Sequence, residues 1–495
     1  MGLSTRPFCT KNGSTGIDSA EDPLIRWVPG AEAGSPTPMA KKLTSVLGID
    51  IGSSKIKVCE IKTQSREPVV TALGIIDTPE GAVDHTGIFN PDAVGDALKK
   101  VIADSGASSP FAVVTLAGQA SVLVRTLEVP KMNPAELKDH MQWEINRNIP
   151  FAESTIVSDF KPLGGEADDA QNMDVVMAIA PQSAVDTVIQ ATKRGGKNTE
   201  AIDVEPLSLA RTMRRNYDDV SAEKTVCLVE VGHKTTSINI YYGAKLLMPR
   251  QVPMGGELFT RAIADAMGMG IEEAEAAKCE RLTIPEDAAD RLAGASNPFD
   301  VGYGGADYAA APDTGATQEF SQFNPFADDV AAYTPEPSGD PMGYGTPAPL
   351  DADPLDYGTP APFDADPADF DAVPAVPPSY DEPVAYDPAP APVADDPMFS
   401  AVLPVLEEFL SEVRRSIDYF RSRGGDVETI YLTGGGAKMK GLQTFLGRSL
   451  GIECDAYDPL RRLTSNMKKV APTFVEDHKD EFSIAIGNGL HIFFD

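Results

Sequence analysis

The chain has 495 residues, 42% of them hydrophobic, with 74 acidic against 42 basic side chains and a formal charge of -32. That is enough chain for two to four domains with sizeable cores, whereas so large an acidic excess opposes any sequence-independent grip on nucleic acid or an anionic membrane, since both need clustered Lys and Arg. Five scattered cysteines without a CxxC pair, and five histidines without partners at ligand spacing, give no sign of a disulfide framework or of a zinc or iron site and fit a reducing cytoplasm.

Residues 1–38 are polar, with Gly, Pro and Ser but no sustained period, and Met39-Ala40-Lys41-Lys42 then leads directly into a strand. Residues 1–42 therefore read either as a disordered tail or as an extension ahead of a translation start at Met39. They lack the apolar middle of a signal peptide, and no apolar run in the chain approaches the 18 or so residues of a membrane span, which predicts a chain that stays soluble inside the cell. The first strand signals are VLGIDIG (46–52) and IKVCEI (56–61), within the segment GIDIGSSKIKV (48–58). Such a hairpin turn points successive backbone N–H groups at one spot, and Gly52 lets the backbone come close to a phosphate. Lys55 and Lys57, two apart on the outgoing strand, project from one face, where either suits phosphate oxygens. Asp50 is suited to hold Mg²⁺ directly or through its waters, because magnesium takes carboxylate and water oxygens.

Strands are next predicted at AVVTLAG (112–118), SVLVRTLEV (121–129) and VVMAIA (175–180), with helices over 134–146 and 183–193. Residues 126–200 read as a small inserted domain. In helix 134–146, Leu137, Met141 and Ile145 form one stripe that is expected to pack on its own domain. Trp143 lies off that stripe, beside the Ile149-Pro150-Phe151 exit, and is the candidate for contact with a partner peptide, because Trp is enriched at binding hot spots.

Strands at 225–232 and 236–242 frame CLVEVGHKTTSINIY (227–241), a second strand, acid, glycine turn, hydroxyl pair and strand. Here Glu230 takes the acidic position, Gly232 the turn, and Thr235 and Thr236 the hydroxyl positions. PMGGELFTRAIA (253–264) then opens helix 256–267 on a glycine pair that includes Gly256, and the first amides of such a helix attract anions. EEAEAAK (272–278) puts Glu275 and Lys278 one turn apart, able to reach a ribose or base together.

Between Ser296 and Ser400 there are 20 acidic residues and 20 of the 41 prolines, without one Lys or Arg. A 13-residue unit recurs there from Tyr344 and from Tyr357. This composition buries too little apolar surface to offset chain entropy, so 296–400 is expected to be a disordered acidic insert. Helix 404–421 follows, with Leu406, Phe409, Leu410, Val413, Ile417 and Phe420 as a core stripe. The strand of IYLTGGGAKMKGL (430–442) ends in Gly434, Gly435 and Gly436, which let adenine and ribose lie flat against backbone.

The order of these elements, closed by the small residues of AIGNGL (485–490), resembles the superfamily of actin, heat-shock chaperones and sugar kinases. Within it the chain is similar to the PilM family of type IV pilus assembly proteins over nearly all of 43–295 and 401–495. The nearest matches are GIDIGSSKIKV, EINRNIPF (144–151), AIDVEPLSLAR (201–211), VPMGGELFTRAIA (252–264), EEFLSEVRRSIDYFRSR (407–423) and YLTGGGAKMKGL (431–442). The resemblance implies an α/β, actin-like (ribonuclease H-like) fold of two lobes. Its first subdomain would be 43–125 completed by 465–495, the inserted domain of FtsA and PilM type 126–200, and the second lobe 201–295 with 401–464.

The resemblance also implies ATP with Mg²⁺. Gly52, Ser53, Ser54 and Lys57 would face the phosphates; Gly232, Thr235 and Thr236 would form the second phosphate turn. Gly256, Glu275 and Lys278 would line the nucleoside, and Gly434, Gly435 and Gly436 would hold it. Asp50 and Glu230 would be the catalytic carboxylates, but the superfamily usually carries Asp where this chain has Glu230. The extra methylene displaces the carboxylate, so at most a slow ATPase is expected. The implied partner is the cytoplasmic tail of an inner-membrane, PilN-like pilus protein, lying between 126–200 and the first hairpin domain. The implied place is cytoplasmic and peripheral to the inner membrane through such partners, beside the pilus motor ATPases, in pilus biogenesis and twitching motility. Two other readings stand beside this one. An FtsA-like division or cytoskeletal protein would carry a membrane-binding amphipathic helix after the core, whereas this chain stops at Phe494-Asp495. A sugar or acid kinase would need an Asp base facing a substrate pocket, and no recognisable motif between Ala117 and Gly232 presents one.

Overall fold

The computed structural model describes residues 43–116, 118, 121–152, 155–164, 171–295 and 396–494. The readings of 1–42 and of the acidic insert up to 395 lie outside the described residues. Strands β1 (Ser45–Ile51), β2 (Lys55–Gln64) and β3 (Glu67–Asp77) form an antiparallel meander, and β4 (Phe111–Leu116) pairs with β1 in parallel. Three further strands, β5 (Leu123–Pro130), β6 (Ile156–Pro162) and β7 (Asn172–Pro181), make a separate antiparallel sheet in the order β5-β7-β6. The chain then returns to the first sheet as β8 (Asn198–Val204), parallel to β4.

The second lobe repeats the plan. Strands β9 (Thr225–Val231), β10 (Thr236–Tyr242) and β11 (Lys245–Val252) are an antiparallel meander, joined in parallel by β12 (Thr429–Thr433) and β13 (Glu453–Ala456). The order β3-β2-β1-β4-β8 in one sheet matches β11-β10-β9-β12-β13 in the other, and the short β14 (Thr464–Ser465) adds to the edge of β3. The two acid-and-glycine hairpins are therefore equivalent parts of two related halves. This is the expected two-lobed actin-like (ribonuclease H-like) fold, with the three-stranded sheet as its insertion.

Both faces of the first sheet are covered, so β1 is buried almost throughout and reads as a continuous apolar run rather than an alternating one. Leu47 and Ile49 share the first-lobe core with Val94 and Val101 of α1 (Pro91–Ser105). On the inserted sheet, α2 (Pro134–Arg147) starts at a capping box of Asn133 and Glu136 and buries Leu137, Met141 and Ile145 against Val175, Met177 and Ile179. The helix read at 183–193, α3 (Gln182–Arg194), was expected within that small domain; it packs on α1 instead. Its Val185, Val188 and Ala191 join the first-lobe core, and its Arg194 pairs with Asp96 of α1. The inserted sheet ends at Pro181, and 182–200 returns to the first lobe.

α4 (Glu205–Ser221) runs from β8 toward the second lobe. There α5 (Gly256–Met267), α6 (Ile271–Arg281), α7 (Ala288–Ala295), α8 (Pro397–Ser422) and α9 (Leu442–Leu450) enclose a core with Val229, Ile240, Phe259, Phe409 and Leu446. α8 begins at Pro397, inside the stretch read as insert, and not at Pro404. Asp396 caps it, and the burial of Met398, Phe399 and Val402 outweighs the cost of about 3 kcal/mol for Pro404 inside the helix. α10 (Pro472–His478) leads into the closing helix α11 (Ser483–Gly489), which lies on the face of β1 opposite α1. At Gly48 a Cβ would lie 2.5 Å from the Gly489 amide nitrogen, so only glycine lets strand and helix approach this closely. Among the described residues, no helix is long and apolar enough to cross a membrane.

Candidate functional site

The two hairpins close identically. Gly52 N–H donates to the Lys55 carbonyl at 3.0 Å and Gly232 N–H to the Thr235 carbonyl at 2.9 Å. Thr78 at the end of β3 braces the first turn, donating from N–H to the Ser54 carbonyl at 2.9 Å and from Oγ1 to the Gly52 carbonyl at 2.7 Å. Asp50 and Lys57 stand directly opposite in the β1–β2 register, and Lys57 Nζ donates to Asp50 Oδ2 at 3.0 Å. Lys55 turns outward to pair with Asp77, so Lys57 alone of the two enters the cleft. In the second turn Thr236 does not offer its hydroxyl to the cleft as a phosphate ligand would. That residue is fully buried and donates its hydroxyl to the Met254 carbonyl at 2.7 Å.

Burial pushes the Lys57 ammonium down, but Asp50, Glu230 and Glu481 together outweigh it and hold it above its ordinary range. Two of the groups that meet here had no mark in the sequence reading. Glu205, the first residue of α4, is pushed up to about 7 by burial and by the nearby Asp50 charge, although Ser237 of β10 hydrogen-bonds it. Glu230 is raised well above the usual carboxylate range, first by burial and then by Glu205. Glu481, between α10 and α11, stays low despite burial because Lys438 and His478 bind it. Asp50 and Lys57 from one lobe, Glu230 from the other and Glu205 from the connecting helix thus converge on one buried spot.

Parallel pairing of Thr433 with Glu230 brings the glycine run to the second hairpin. A Cβ on Gly434, whose φ is +89°, would lie 2.6 Å from Glu230 Oε1 and from the Val231 carbonyl oxygen. Gly435 and Gly436 continue as a single 3₁₀ turn. The first amides of α5, expected to attract anions, are already engaged: Gly256 N–H donates to the Gly232 carbonyl and Glu257 N–H to the His233 carbonyl, both at 2.9 Å. Lys278 is buried, and its Nζ meets the Gly256 carbonyl at 2.9 Å, Thr260 Oγ1 at 2.8 Å and Glu275 Oε2 at 2.8 Å. Three partners use all three protons of an ammonium. Lys278 therefore positions Glu275, which keeps much of its side chain in solvent.

On α2 of the inserted domain Trp143 is 56% exposed, with the Arg147 guanidinium 5.4 Å over its ring. Thr126 Oγ1 of β5 donates to the Leu247 carbonyl of β11 at 2.7 Å, and Lys245 pairs with Asp174 at 2.7 Å, so the insertion touches the second lobe.

The fold agrees with comparisons to known proteins. A solved structure described as a PilM-PilN type IV pilus biogenesis complex is similar with a TM-score of 0.62 and 21% identity, covering 92% of this chain and 99% of that one. The cell division protein FtsA of Neisseria meningitidis serogroup B (strain ATCC BAA-335 / MC58) is 22% identical over 254 residues, which is 46% of this chain and 59% of FtsA. The chain thus spans about three-fifths of the length of that curated relative. The family model for the type IV pilus assembly protein PilM matches residues 48–294 and 393–493. With the duplicated sheets and the insertion after β4, this match shows that the chain belongs to the PilM family of type IV pilus assembly proteins and is actin-like in fold.

Proposed function

We propose that this protein binds Mg·ATP between its two glycine hairpins and, on its inserted domain, holds the cytoplasmic tail of a PilN-like inner-membrane protein, linking that protein to the pilus motor from the cytoplasmic side. The nucleotide half rests on the buried convergence of Lys57 with Asp50, Glu205 and Glu230 beside Gly52, Gly232 and Gly434. Burial and mutual repulsion with Asp50 raise Glu205 and Glu230, and a cation beside them would offset that repulsion. Among the described residues no three His, Cys, Asp or Glu form a protein-only metal cage. Mg²⁺ keeps waters and phosphate oxygens and takes one or two carboxylates. Asp50 and Glu230 would hold it, and when bound it neutralises phosphate charge. Lys57 and the hydroxyls of Ser53, Ser54 and Thr235 would bind phosphate oxygens, with Glu275 and Gly434, Gly435 and Gly436 beside the nucleoside.

The purified chain is expected to melt several degrees higher with Mg·ATP and to turn it over slowly. A typical rate of about 10 per second, cut 10²- to 10⁴-fold by a misplaced carboxylate, gives about 10⁻¹ to 10⁻³ per second. Glu230→Asp should then raise turnover. No thermal shift with Mg·ATP, or wild-type turnover of tens per second, would overturn this half.

The partner half is supported by the similar structure being a PilM-PilN complex and by the exposed, Arg-stacked Trp143. A Trp143→Ala chain should keep nucleotide binding and bind a PilN-like tail peptide about 30-fold more weakly by fluorescence anisotropy. Unchanged affinity would move the contact elsewhere. No binding of any such tail by the unaltered chain would sink the assembly role.

A further inference from the structure

The phosphate hairpins do not account for the loop beside them. A small pocket of about 60 Å³ is lined by Gly52 and Ser53 of the first turn, Thr235 of the second, and Asp84 and His85. The loop that carries His85 is tightly built. Val83 and Ile88 bridge as a small antiparallel pair, and Asp84 N–H donates to the Gly87 carbonyl at 3.0 Å. Asp84 Oδ1 accepts from Thr86 N–H at 2.6 Å, from Thr86 Oγ1 at 2.7 Å and from Gly87 N–H at 3.3 Å, which engages this carboxylate inside its own turn.

Gly118 lets the tip dock. Ser121 Oγ donates to the Thr86 carbonyl at 2.6 Å, and a Cβ on Gly118, whose φ is +109°, would lie 2.8 Å from that same carbonyl oxygen. At its other end the segment is bonded to the first phosphate turn through Thr78. The result holds His85 at a fixed, half-buried tip, its side chain 43% exposed on the cavity wall rather than packed in the core. Among the side chains lining this space, the His85 imidazole, whose Nδ1 lies 4.0 Å from Asp84 Oδ2, and the Ser53 and Thr235 hydroxyls can donate to a phosphate oxyanion.

We propose that His85 donates a hydrogen bond to the terminal phosphate of a bound nucleoside triphosphate, so that the 83–88 hairpin distinguishes triphosphate from diphosphate. This rests on the nucleotide reading above. The test is calorimetric titration of the full chain with Mg²⁺ and a non-hydrolysable ATP analogue, and separately with Mg·ADP. His85→Ala is expected to weaken the analogue about tenfold, the loss typical of one hydrogen bond to a charged group, and ADP by less than about twofold. His85→Gln, which keeps an N–H donor, should recover much of that loss, and a melting temperature equal to wild type shows that the loop is intact. Equal weakening of both nucleotides, or none, overturns the role of His85 while leaving nucleotide binding standing. Failure of the unaltered chain to bind either nucleotide removes the nucleotide reading and this role with it.

Discussion

Gly487→Ala is expected to cost about 3 kcal/mol or more of folding stability, against no more than about 1 kcal/mol for Gly270→Ala, read from urea midpoints of the two purified chains. A Cβ at Gly487 would overlap the Ser208 carbonyl oxygen and lie 2.5 Å from its carbonyl carbon. Both atoms are backbone of α4, so no rotamer change relieves them and the helices must separate. Separation would also disturb the neighbouring bonds of Asn488, which donates to the Ile49 carbonyl at 2.8 Å and to Thr115 Oγ1 at 2.6 Å and accepts from Ser208 Oγ at 2.6 Å. In an open helix the same change would gain up to about 1 kcal/mol. Here the crossing decides the sign. Gly270, before α6, has ordinary φ of -69° and nothing within 4 Å of an added Cβ. Equal midpoints for the two variants would show that α11 does not press on α4 in this way.

That crossing was legible in AIGNGL for the same reason the two hairpins were: where backbone meets backbone, the chain must carry small residues that no helix or strand pattern otherwise explains. The duplication was legible as a recurrence of strand, acid, glycine turn and strand. The third strand of the second meander was not, because β11 carries Pro249 among Lys and Arg. Proline is tolerated there because β11 is the sheet edge. The start of α8 was hidden by Pro404, a local signal overridden by the burial of Met398 and Phe399. At the site, Thr236 and Lys278 stood at the right spacing, yet their polar atoms are taken up inside the second lobe. Glu205 and Glu481 sit at the start of one helix and just ahead of another, and they reach Lys57 only once the two sheets have packed. No local pattern encodes that meeting.

The meeting makes Lys57→Met the most damaging single change expected in the cleft: at pH 8 it should weaken Mg·ATP at least about 100-fold and cost about 3 kcal/mol of stability, with most of the stability loss gone at pH 5. Methionine roughly keeps the length of the side chain, so the packing changes little while the ammonium is lost. Asp50 then loses its partner at 3.0 Å, and Glu230 and Glu205 lose a cation that offsets them. Lys57 itself is charged throughout this window, since the surrounding carboxylates outweigh the effect of burial. The carboxyls set the pH dependence. A group whose folded pKa lies above its unfolded value contributes stability that is fully present below the unfolded value, near 4.5, and lost as pH rises through the folded value, about 7 for Glu205. Without Lys57 the folded values of Glu205 and Glu230 climb further, so both stay protonated at pH 5 and suffer most from ionisation at pH 8. The gap in melting temperature between the variant and the wild-type chain should therefore widen by several degrees from pH 5 to pH 8. A gap that does not change with pH would mean that Lys57 acts by packing alone, and undiminished Mg·ATP binding would remove it from the phosphate site.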